Sequence, residues 1–180
     1  MICYICIEIY DDIELEGTNS PLFLYQPMNQ NRVKQLVDEA LEENLSLFLI
    51  DLDFGSGNQI KVVVDGDTGV PLSECIRISR KVEHNLDRET EDFSLEVTSP
   101  SITDPITDIR QYNKNLNRTL KVKTAEQNFE GKLTAVTEQE ITLNWKAREP
   151  KPIGKGKITV EKQEIIPLKE IKEAKVKIIF

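Results

Sequence analysis

The chain has 180 residues and a formal net charge of −8, enough length for one medium domain or two small ones with modest cores. Its hydrophobic content of 39% is that of a globular protein, and no apolar run approaches the roughly 20 residues that a membrane-spanning helix needs. The start lacks the basic segment and apolar block of a secretory signal, and three cysteines are too few for a disulfide framework, which predicts reduced thiols in a cytoplasmic protein.

The net charge hides an asymmetry: residues 1–27 carry −5, residues 28–109 carry −10 and residues 110–180 carry +7. A cationic C-terminal part on an acidic protein predicts a split role, one half facing phosphate and the other facing something cationic. Residues 1–27 read as an extension, poorly docked or upstream of the native start, with Met28 as the other candidate beginning because an amphipathic helix follows it at once. Cys3 and Cys6 form a CxxC without the further ligands of a zinc site or the strand-to-helix context of a redox motif.

Val33, Leu36, Val37, Ala40 and Leu41 recur at helical spacing, predicting a helix over Asn29–Asn44. Leu45–Phe54 is a nearly continuous apolar run ending in alternation, a strand. Gly55-Ser56-Gly57-Asn58 signals a hairpin turn, and Gln59–Asp65 is the return strand. A loop to Pro71 leads into a second helix ending near Leu86, and Phe93–Thr98 reads as a third strand. The order α-β-β-α-β predicts a two-layer domain over residues 28–104. Residues 95–105, Leu-Glu-Val-Thr-Ser-Pro-Ser-Ile-Thr-Asp-Pro, leave strand alternation for a turn stiffened by two prolines. Ser99, Pro100, Ser101, Asp104 and Pro105 are the expected interdomain hinge. Beyond it, Ile106–Tyr112 is expected as a short helical turn. Strands are expected over Arg118–Lys123, Phe129–Thr137, Gln139–Ala147, Lys157–Gln163, Glu164–Pro167 and Lys175–Phe180, around a loop at Glu149–Gly156. So many short strands in residues 105–180 predict a small β-barrel, making the chain α+β overall.

Motifs for catalysis fail on their own terms. His84 is the single histidine and is expected on a different helix face from Cys75. Counting an EF-hand loop from Asp65 puts Val70 and Ile76 where glycine and glutamate are required. Asp51 and Asp53 share one strand face without a visible third ligand, and Gly55-Ser56-Gly57 lacks the lysine of a phosphate-binding loop. No catalytic residue, metal or cofactor is expected. Contact residues are expected instead among cations: Arg77, Arg80 and Lys81 on the second helix (with His84 and Arg88 on the same face), Lys114, Arg118, Lys121 and Lys123 in the next segment, and Lys155 and Lys157 in a Gly-Lys-Gly-Lys loop. The competing reading of the helix face is solvated charge paired with Glu74, Glu83 and Asp87. Phe129, Trp145 and Phe180 are too few for a base-stacking platform, so any RNA contact is expected through the backbone.

Val64-Asp65, Gly69-Val70, Cys75 with Ile78-Ser79-Arg80, Leu86-Asp87 and above all Leu95-Glu96-Val97-Thr98-Ser99-Pro100 resemble the ribosome maturation factor RimP family. Tyr112, Arg118-Thr119, Gly131-Lys132-Leu133, Ile166-Pro167-Leu168 and Ile171-Lys172 fit the family's second domain more loosely. The resemblance runs from about Asn29 to the C-terminus. It implies an α/β N-terminal domain followed by an Sm- or SH3-like β-barrel, no enzymatic activity, and a role in small-subunit maturation near the incoming protein of the decoding region. The expected partners are therefore the small ribosomal subunit and its precursor, rRNA and a basic small-subunit ribosomal protein, met by a monomer and with no membrane. The family pattern has glycine where this chain has Ser101 and a basic residue where it has Asp104. If the turn needs φ > 0 at residue 101, serine is strained there and Ser101→Gly should be neutral or stabilising. The rival readings are a standalone RNA-binding module with an Sm-like barrel, which forms rings through strand edges, and a metal enzyme built on Asp51, Asp53 and Asp65.

Overall fold

A computed structural model describes residues 29–86, 92–150 and 156–178. The expectations for residues 1–27, Cys3, Cys6, Asp87, Arg88, Lys155 and Phe180 fall outside them. Two apolar clusters organise the chain, one drawn from residues 33–97 and the other from residues 106–176.

Helix α1 (Gln30–Glu42) starts on Asn29, whose side chain accepts from the Arg32 N–H, and it buries Val33, Leu36, Val37 and Ala40. Strands β1 (Leu47–Gly55) and β2 (Gln59–Gly66) are antiparallel, with a register shift between Leu49 and Asp51. Their turn places Gly57 at φ 69° and Asn58 at φ 55°, the left-handed pair that a tight hairpin needs. Helix α2 (Leu72–Asn85) packs Ile78 and Val82 against the same core, and β3 (Ser94–Thr98) joins β2 in parallel. The sheet order is β1-β2-β3, as a β-α-β crossover requires for the parallel pair. Ile60, Val62 and Val64 face the helices and are essentially fully buried, so the opposite sheet face is left without a helical layer of its own.

Asp108 opens α3 (Ile109–Lys114) through a capping box with Gln111. The helix begins three residues later than the predicted turn because the Asp-x-x-Gln signature of Asp108 and Gln111 sets its start. Five strands follow: β4 (Thr119–Thr124), β5 (Asn128–Val136), β6 (Glu140–Pro150), β7 (Lys157–Pro167) and β8 (Ile171–Val176). All pairs are antiparallel, in the order β7-β6-β5-β4-β8. The two predicted strands at 157–163 and 164–167 are one, because β7 pairs with β6 along its whole length. The last strand starts at Ile171, four residues before the predicted Lys175, and ends at Val176, with residues 177 and 178 beyond it.

Among the described residues no strand pairing closes this sheet into a barrel; β7 and β8 are both edges. It nevertheless curls. A flat sheet would set those edges about 19 Å apart across four gaps. The chain crosses from Pro167 to Ile171 through one 3-10 turn, Leu168–Glu170, and four Cα steps span at most about 15 Å. Leu120, Leu133, Ile141 and Leu143 fill the concave side, each 1% exposed or less, so the opposite face is convex.

The seam is a strut anchored at both ends. Val97 pairs with Val62 in the first sheet, and the Ile106 N–H donates to the Ala174 carbonyl in the second at 2.8 Å. Between them the Ser101 N–H donates to Asp104 Oδ2 at 2.7 Å and the Asp104 N–H donates back to the Ser101 carbonyl at 3.0 Å. Ser101 does not have positive φ, so the strain expected from the missing glycine is absent. The two departures compensate each other: the aspartate closes a turn that serine can adopt, and the Ser101 and Thr103 hydroxyls bond at 3.1 Å. The expected gain from glycine is thereby overturned. Ser101→Gly and Asp104→Ala should each lower stability, by about 0.5 and about 1 kcal/mol, in urea unfolding followed by circular dichroism; a gain from either would contradict this turn.

Candidate interaction surfaces

Helix α3 touches the first half of the molecule at one end of its helix-free sheet face, and two cationic side chains fix it there. The Lys114 ammonium reaches Asp65 Oδ1 at 2.5 Å, and Gln111 Nε2 donates to Asp65 Oδ2 at 3.0 Å. Asp65 is only 3% exposed, and its Oδ1 also accepts from the Gly66 N–H. One turn earlier, Arg110 donates to both oxygens of Asp67 and to the Leu45 carbonyl, with its guanidinium 4.3 Å from the Phe48 ring centroid. Hydrogen bonding from Arg110 holds the Asp67 carboxyl below its usual range and raises Arg110. A shallow cavity of about 190 Å³ lies beside this latch, lined by the strut, Lys114 and Arg118.

Arg77 and Lys81 are drawn into a clamp between the helices. Arg77 meets Glu74 at 2.9 Å and Glu43 at 2.7 Å and donates to the Ala40 carbonyl; Lys81 meets Glu43 at 3.1 Å. The clamp lowers Glu43, chiefly through Lys81, and Glu74, chiefly through Arg77. The structure thus uses Arg77, Lys81 and Lys114 for internal pairing. Arg80 and Arg118 stay exposed and make no ion pair among the described residues.

Strand alternation sorts the remaining charge onto two open faces. On the first sheet, Asp51 lies beside Val63 and Thr98, and Asp53 beside Lys61 and Glu96, all away from the helices. That face carries three exposed carboxylates against one lysine. Asp65 shares it but is sealed under α3, so Asp51, Asp53 and Asp65 do not converge as a metal enzyme would need.

The convex face of the second sheet is the reverse. Lys121 and Lys123 on β4, Lys132 on β5, Lys146 and Arg148 on β6, and Lys175 and Lys177 at β8 stand against Glu130, Glu161 and Glu173. Each carboxylate has a lysine: Glu130 meets Lys177 at 2.5 Å, Glu161 meets Lys146 at 3.6 Å and Glu173 meets Lys175 at 2.7 Å. Lys121, Lys123, Lys132 and Arg148 make no ion pair among the described residues, although Glu130 faces Lys121 and Glu173 faces Lys123 across the strands. Lys177 holds Glu130 below its ordinary range, and Lys175 does the same for Glu173. Sequence reasoning found Lys121 and Lys123 but missed Lys132 and Arg148, since their shared face depends on cross-strand register. Lys157 is exposed at the start of β7.

Residues 36–103 match the family model described as the RimP N-terminal domain. A protein of Christiangramia forsetii named ribosome maturation factor RimP is 55% identical over 153 residues, covering 85% of this chain and 100% of that protein. One of the same name from Flavobacterium psychrophilum is 50% identical over 151 residues, 84% of this chain and 98% of its own. Another from Porphyromonas gingivalis is 32% identical over 149 residues, 82% and 97% respectively.

Proposed function

The chain belongs to the ribosome maturation factor RimP family, and on that premise we propose that it is a non-enzymatic factor for assembly of the small ribosomal subunit. It binds the precursor subunit in the cytoplasm, as a monomer, touching both rRNA and a basic ribosomal protein. Residues 28–104 form the α/β domain, and residues 105–180 form the second domain, whose curled sheet corresponds to the Sm- or SH3-like barrel of the family. Among the described residues no helix is long and apolar enough to cross a membrane.

The observation that carries this reading is the opposite charge of the two open sheet faces. Asp51, Asp53 and Glu96 offer carboxylates to a cationic protein segment, while the convex face around Lys121 and Lys123 offers ammonium groups to phosphate. The latch and the strut between them hold the two faces in a set relation, as a protein bridging RNA and protein in one particle requires.

Co-sedimentation with small subunits and their precursors across a salt series tests it. The chain should travel with precursors at low salt and be released steeply as salt rises, because phosphate contacts release counterions. Failure to travel with either particle at low salt would end the proposal.

A further inference from the structure

We infer that the convex face of the second sheet is a duplex-RNA surface that grips phosphates and ribose across the minor groove and reads no bases. The inference rests on the assembly reading but specifies the RNA it needs.

Three features of the face select this occupant. Its charge is cationic: Lys121, Lys123, Lys132 and Arg148 make no ion pair among the described residues, with Glu130 across from Lys121 and Glu173 across from Lys123 each bound to another lysine. Among the described residues no aromatic side chain belongs to it: Phe129 and Trp145 are half-buried against the core, their rings 6.2 Å apart. Single-strand binders stack bases on aromatic side chains, so this face lacks what an unpaired strand would use. Exposed Asn128 and Asn144 lie among the cations, Asn128 opposite Lys123 and Asn144 opposite Lys132. A-form RNA presents a wide, shallow minor groove edged by phosphates and lined with 2′-hydroxyls. A convex sheet with ammonium groups beside short amides matches it, the amides serving the hydroxyls and the cations the phosphates.

Glu130 tunes the surface. It lies opposite Lys121 and holds the Lys177 ammonium at 2.5 Å. A phosphate arriving at Lys121 meets that carboxylate and must compete with it for Lys177. Removing its charge should therefore strengthen binding, an effect that no purely structural role for Glu130 would produce.

The test is fluorescence anisotropy of the full chain with a labelled RNA duplex of about 16 base pairs, a DNA duplex of the same sequence and one of its single strands, across a salt series. The RNA duplex should bind tightest. Lys121→Glu with Lys123→Glu should weaken it at least about tenfold at low salt, and the milder alanine pair should flatten the dependence of log affinity on log salt by about two. Glu130→Gln should tighten binding about threefold by removing one repulsive charge beside the phosphates. Asn128→Ala with Asn144→Ala should narrow the preference for RNA over DNA. Equal or tighter binding of the single strand, indifference to the lysine pairs or weakening by Glu130→Gln would each overturn the inference. Duplex binding without co-sedimentation would uphold the face and instead defeat the assembly role.

Discussion

Lys114→Ala is expected to cost about 3 kcal/mol and to loosen the junction between the two halves. It leaves Asp65, 3% exposed, with only the Gln111 amide and the Gly66 N–H. A buried carboxylate stripped of its cation is costly. Asp65→Ala should cost less, about 2 kcal/mol, because Lys114 retains 27% of its side-chain exposure and can turn to water. Urea unfolding gives both values. The double variant should then cost less than their sum, since most of the Lys114→Ala penalty is the stranded charge. A strictly additive pair would show that the bridge has no coupling. Arg110 and Asp67 remain as the second prong. The Asp67 carboxyl is depressed by Arg110, so its contribution is full above the ordinary aspartate value of 3.8 and is lost as pH falls through the lower folded value. Acid should therefore complete the opening that Lys114→Ala begins, visible as an increased radius of gyration in small-angle scattering below about pH 4.

The second large effect is expected from Leu143→Ala. Leu143 is fully buried in the second cluster, beside Leu133 and Ile141, and truncation should cost about 3 kcal/mol in lost transfer energy and cavity. The two clusters share no residue, and the halves meet through the latch and the strut. Destabilising one core should therefore split unfolding into two transitions, the early one belonging to residues 105–180. Ile78→Ala should reverse that order. A single cooperative transition in both variants would show that the latch couples the halves into one folding unit and that the proposed division at residues 104 and 105 is not a thermodynamic one.

Periodicity alone carried much of this fold. The apolar stripe of α1 and the turn at Gly55–Asn58 are local features, and each formed where its pattern predicts. Short-range physics decides them: one helix face must be buried, and a tight hairpin needs residues that accept positive φ. The family signature at residues 95–100 was equally legible, being contiguous. Ser101 and Asp104 looked like separate losses, one of conformational freedom and one of a cation, and became a reciprocal hydrogen-bonded pair once the backbone turned between them.

The surfaces were decided by tertiary structure. Arg77, Lys81 and Lys114 have the composition and spacing of contact residues; Arg77 meets the nearby Glu74 that helical spacing offers, yet the other partners lie 34, 38 and 49 positions away in Glu43, Glu43 and Asp65. No local pattern reports a carboxylate at that separation. Lys132 and Arg148 are unremarkable in sequence and become one surface with Lys121 and Lys123 only through the register of β4, β5 and β6. The sequence by itself determined most of the elements, the family and the imbalance of charge between the halves. Which cations are consumed inside the molecule and which remain for a partner was settled by long-range packing, because pairing energy depends on distance in space.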